Sequence, residues 1–98
     1  MFVVLLRFSE NKRKAGEFME GHNRWIKQGF DDGVFLLAGS LVPGLGGSVI
    51  AHNISLSALQ ERVNKDPFVT ENVVSAEILE IDPKKSDERL SFLVTSKT

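Results

Sequence analysis

His22 is the residue whose setting most needs a chemical explanation. It sits in Phe18-Met19-Glu20-Gly21-His22-Asn23-Arg24-Trp25-Ile26, a stretch with the periodicity of one amphipathic helix. At about 100° per residue, Phe18, Met19, Trp25 and Ile26 fan out on both sides of the imidazole. A polar ring in the middle of an apolar stripe must find a partner. Two roles fit it. One is a core histidine bonded to a backbone carbonyl between helix and sheet. The other is a general acid/base at the floor of a pocket, which suits a side chain that ordinarily titrates near neutral pH. Asp66 is the second candidate. Before Pro67 it reads first as a helix-ending turn residue, held extended by the proline that follows. It also fits as the carboxylate that orients His22, provided that the second helix lies beside the first.

Further polar groups fall at strand ends. Gly39 has the character of a bulge or of a place where something approaches the backbone closely. Ser40 and Ser48 can donate to a substrate oxygen, although both also read as ordinary strand-end residues. No Gly-x-Ser-x-Gly elbow marks either as a nucleophile. The loop Pro43-Gly44-Leu45-Gly46-Gly47 lacks the Gly-Lys-Ser/Thr ending of a phosphate-binding loop and reads as a hairpin connection. His22, His52 and Asp66 together have the ligand types of a two-His-one-carboxylate site. Their spacing does not mark one, and neither a metal nor another cofactor is expected. Trp25 reads mainly as core, since no basic stripe interleaves the aromatics. Its place beside His22 also makes it a candidate pocket residue.

These residues need elements to position them. Phe2 to Phe8 is β-branched and aromatic and reads as a strand. Ser9 is the expected cap of the first helix, whose stripe runs from about Ala15 to Phe30. Asp31-Asp32-Gly33 stops it. Val34 to Leu41 and Ser48 to Asn53 read as a hairpin of strands. Ser57 and Gln60 have capping-box spacing for a second helix that ends before Asp66-Pro67. Val73 to Ile81 is a fourth strand, closed by Asp82-Pro83. Leu90, Phe92 and Val94 alternate as a short fifth strand would. The order β-α-β-β-α-β is the ferredoxin-like arrangement, an α+β fold with two helices on one face of an antiparallel sheet. Both faces of its strands are apolar: Val3 and Leu5 point one way, Val4 and Leu6 the other. A homodimer packed sheet to sheet is therefore expected.

Composition narrows the partners. The chain has 98 residues, 42% of them hydrophobic and 26% charged, as in an ordinary single globular domain. Its formal net charge of −1 argues against a nucleic-acid or anionic-membrane surface. Lys12-Arg13-Lys14 reads as a solvated turn before the helix. There is no cysteine, so no disulfide and no thiolate metal site. The apolar start is too short for a signal peptide, and no stretch reaches membrane-spanning length. A cytoplasmic protein is expected.

Taken together, a first strand, a helical His22, Ala38-Gly39-Ser40, Gly47-Ser48-Val49-Ile50-Ala51, a second helix and Asp66-Pro67-Phe68 resemble the YciI-like (YCII-related) family over about residues 1–83. The resemblance implies a dimeric ferredoxin-like α+β barrel and a His–Asp pair at the active site, which would be His22 and Asp66. It also implies a strand-serine region at Ser40 and Ser48. A characterised branch of that family removes chloride from a chlorinated hydroxyquinone, and other members accompany transcriptional and signalling proteins. The Gly-rich hairpin is short here, which would alter the pocket mouth. The polar tail, 84–98, falls outside the resemblance. Two functions follow as expectations. One is a cofactor-independent lyase or isomerase acting on a small aromatic or acidic metabolite through His22 and Asp66. The other is a non-catalytic module that holds such a molecule in the same cleft.

Overall fold

The structure is a computed structural model and describes residues 1–94. Its elements run β1 (Phe2–Phe8), α1 (Ala15–Asp31), β2 (Phe35–Leu41), β3 (Gly46–Ala51), α2 (Leu56–Val63), α3 (Pro67–Thr70) and β4 (Val74–Glu80). The four strands form one sheet in the order β2-β3-β1-β4, and every neighbouring pair is antiparallel. This is the expected α+β, ferredoxin-like layout. One strand always lies between the two ends of each β-α-β crossover.

Strand parity sorts the sheet into two faces. Phe2, Val4 and Leu6 of β1 turn to the helices and are buried, as are Phe35, Val49, Ala51 and Val74. Leu59 and Val63 of α2 and Phe68 of α3 close over them. The opposite face carries Val3, Leu5 and Ile50 half-buried, with Leu37 58% and Leu79 44% exposed. An exposed ion pair, Arg7 to Glu77 at 2.7 Å, flanks that apolar strip. The sheet thus shows the two-sided hydrophobicity read from the sequence.

Several local expectations are corrected. Ser9 does not cap α1. The chain enters that helix through a single 3-10 turn, Lys12–Lys14, and Lys14 takes the cap position without a side-chain bond. Ser55, not Ser57, caps α2: its Oγ accepts from Ala58 N at 3.1 Å. Starting there adds two residues and still aims Leu59 and Val63 inward. The bulge in β2 lies between Phe35 and Leu37, not at Gly39, which pairs regularly with Ser48. The fifth strand does not form among the described residues. Asp87 accepts from Arg89 N at 2.9 Å, and short-range bonds such as Leu90 N to Asp87 O then close 3-10 turns over Glu88–Leu93. Local turn bonds replace a ladder that would have needed a neighbouring strand. Among the described residues no helix is long and apolar enough to cross a membrane.

Candidate functional site

The α1 stripe that meets the core is Ala15, Phe18, His22, Trp25 and Gly29, spaced three or four residues apart. His22 lies at its centre. Met19 and Ile26, one position off that line, face a cleft between α1 and the β2–β3 end of the sheet. Two glycines permit the close packing. A side chain at Gly29 would run into the Phe35 ring. At Gly21 a Cβ would come within 3.1 Å of Pro67 Cγ, so α3 can lie directly on α1 beside the histidine.

Asp66 is carried to that place by a turn rather than by the end of α2. It is extended, with φ −65° and ψ 124°, as a residue before proline should be. It then caps the single turn of α3. Its Oδ1 accepts from Phe68 N at 3.0 Å and lies 2.8 Å from His22 Nδ1. Asp66 is fully buried and the His22 side chain is 12% exposed. Asp66 Oδ2 is buried with no partner among the described residues. An ionised carboxylate can only accept, so the ring donates Nδ1–H to it and Nε2 is the nitrogen left over. The Phe68 ring stacks on the imidazole at 4.0 Å between centroids and 3° between planes. Ring orientation is therefore held by a bond in the plane and a flat surface against it. The same turn supplies both, because Asp66 and Phe68 are two residues apart.

The cleft has a volume of about 320 Å³, with His22 in its lining. Ser40 is on its wall, on the helix-facing side of β2, with Gly39 beside it. Ser48 also borders it, but its Oγ donates to the Val4 carbonyl at 2.9 Å. Trp25 does not line this cleft. Its Nε1 donates to the Arg62 carbonyl at 2.9 Å, and its ring meets Phe35 edge-on at 5.1 Å. That bond ties α1 to α2. A second tie comes from Asp32, which takes hydrogen bonds from Gln28 at 2.8 Å and Arg62 at 3.0 Å. Gln28 first and Arg62 second hold the Asp32 carboxyl below its ordinary value. His52 is also apart from the pair. It lies at the far end of β3 with its ring against Phe92, 5.6 Å between centroids. Among the described residues no cluster of three His, Cys, Asp or Glu side chains could hold a metal ion.

Sequence reasoning missed Gly21, Gly29 and the cleft residues Met19, Asn23 and Phe8. The glycines did leave a signal. Each costs a helix interior about 1 kcal/mol relative to alanine, a cost that close packing explains.

No curated protein matches the chain. Among solved structures it is similar to a 5-chloro-2-hydroxyhydroquinone dehydrochlorinase (TftG) from Burkholderia phenoliruptrix, determined in complex with 2,5-dihydroxybenzoquinone. The two share 12% identity, with a TM-score of 0.69 over 91% of this chain and 98% of that one. At that identity the likeness speaks for the fold alone. The model of the YCII-related domain matches residues 1–82, which takes in every strand and helix that builds the His22 cleft. The chain belongs to the YCII-related domain family.

Proposed function

We propose that this protein is a small enzyme of lyase or isomerase type in which His22 moves a proton and Asp66 orients it. The observation that carries the reading is the His22 Nδ1 to Asp66 Oδ1 contact of 2.8 Å, made to a fully buried carboxylate at the edge of a cleft. Nε2 takes a proton from a carbon or oxygen acid held in the cleft. The electron pair left behind expels a leaving group, or moves into a neighbouring carbonyl, and the ring then returns the proton or releases it to water. The Asp66 carboxylate offsets the imidazolium charge that forms, and Phe68 keeps the ring from turning. Proton transfer of this kind asks only for a base and a carboxylate that orients it. The fold likeness to a dehydrochlorinase, an enzyme of elimination, points to the same reaction class. Ser40, and Gly39 beside it, are the strand groups nearest to hand for a substrate oxygen.

The reading includes a homodimer. The apolar strip of Val3, Leu5, Leu37, Ile50 and Leu79 has no cover within the described residues, and a second sheet of the same kind fits it.

The test is a thermal-shift screen of small hydroxylated and carbonyl compounds, followed by product analysis on each hit. Turnover that is abolished by His22→Ala and reduced by Asp66→Asn is the expected result. Binding without product, or turnover that survives His22→Ala, refutes the catalytic role.

A further inference from the structure

The cleft around His22 has no Lys, Arg, Asp or Glu in its lining among the described residues. Its walls are mostly apolar, and its polar side chains apart from His22 are Asn23 and Ser40, since the Ser48 side chain shares the opposite sheet face with Ile50. Ser48 is occupied by the Val4 carbonyl. The side chains of Asn23, on α1 next to His22, and Ser40, on β2 across the cleft, make no hydrogen bond with other described residues. The formal charge behind the floor is the Asp66 carboxylate, fully buried, with one oxygen unpartnered. With Asp66 ionised, the pair is neutral when the ring is protonated and negative when it is not. In neither state does the floor present net positive charge. A bound anion would approach a buried carboxylate with no cation on the walls to offset it.

We propose that the cleft selects uncharged ligands and that Asn23 and Ser40 position the ligand's oxygen from opposite walls. The inference rests on reading the His22 cleft as the ligand site. It narrows that reading by removing acidic metabolites from the range the sequence allowed. Asn23 becomes a specificity residue: its amide offers both a donor and an acceptor and carries no charge.

The test uses the full chain and a matched pair of probes, benzamide and benzoate, which share shape and differ in charge. Each is titrated by proton–nitrogen NMR while the His22, Asn23 and Ser40 signals are followed. Benzamide is expected to move those signals, with benzoate at least about ten-fold weaker. Asn23→Ala should weaken benzamide about three-fold or more, the effect of one lost neutral hydrogen bond. Asn23→Lys, on an exposed position of α1 that tolerates the change, should reverse the order and make benzoate the tighter ligand. Benzoate binding the parent as tightly as benzamide, with shifts centred on His22, overturns the charge selection but leaves the cleft as a ligand site. Failure of Asn23→Lys to strengthen benzoate also overturns the selection. Shifts confined to residues outside the cleft, or none with either probe, overturn both the selection and the site.

Discussion

Replacing Asp66 by alanine removes two bonds made by one oxygen. The first is the cap on α3, where Oδ1 accepts from Phe68 N, and the loss of such a cap costs about 1 kcal/mol. The second is the bond to His22 Nδ1 at 2.8 Å, which is charge-assisted and contributes about 1.5–3 kcal/mol. Relief from burying a carboxylate with an unpartnered Oδ2 offsets part of this. The expected net loss is about 2–3 kcal/mol. For a domain of this length it lowers the melting temperature by roughly 10–20 °C. Asp66→Asn keeps an oxygen for the Phe68 amide and a neutral bond for the ring, so it should lose about half as much. The assay is urea unfolding followed by far-ultraviolet circular dichroism at one fixed protein concentration, since a dimer makes stability concentration-dependent. A double-mutant cycle with His22→Ala isolates the ring's share, with a coupling of about 1–2 kcal/mol expected. An alanine variant within about 0.5 kcal/mol of the parent would refute the reasoning, because the cap and the histidine bond could not then both exist.

Gly29→Ala should destabilise by about 1–2 kcal/mol. The new Cβ meets a Phe35 ring that Trp25 and Phe30 already bracket, and overpacking outweighs the gain in helix propensity. Gly16→Ala, where a Cβ meets nothing, should instead stabilise by up to about 1 kcal/mol, and urea melts of the two variants read the opposite signs. Light scattering at micromolar concentration should give twice the chain mass, and Leu37→Glu combined with Leu79→Glu should halve it without loss of folded signal. A parent that runs as a monomer contradicts the sheet-to-sheet dimer.

The amide-to-amide logic of the fold was legible in local patterns. Period-two apolar runs marked the strands, a stripe of helical period marked α1, and Gly and Pro marked the stops, because each reports a backbone preference that acts within a few residues. His22 stood out for the same reason: its neighbours three and four positions away defined the face on which it lay. Asp66 was legible as an extended residue before proline, and its φ of −65° and ψ of 124° agree with that reading.

Where sequence reasoning went astray, the deciding partner was distant or one of several equal local choices. Ser57 was read as the cap of α2 from its spacing to Gln60, whereas Ser55 takes the bond from Ala58 N and the helix begins at Leu56. Trp25 packs on the core as it was mainly read, but its second candidacy as a pocket residue fails because its Nε1 bonds the Arg62 carbonyl of α2. Ser48 had the chemistry of a ligand donor, but the neighbouring strand had already claimed its hydroxyl.

By itself the chain determined which residues are apolar, where the backbone can bend, and that one imidazole lies among hydrophobic side chains. The meeting of His22 with a carboxylate 44 positions away was decided by tertiary structure. It required Gly21 to admit Pro67 against α1, and Phe68 to anchor the turn on the core. Local preference limits the conformations of each segment, whereas only packing, summed over segments far apart in the chain, brings two particular atoms within bonding distance.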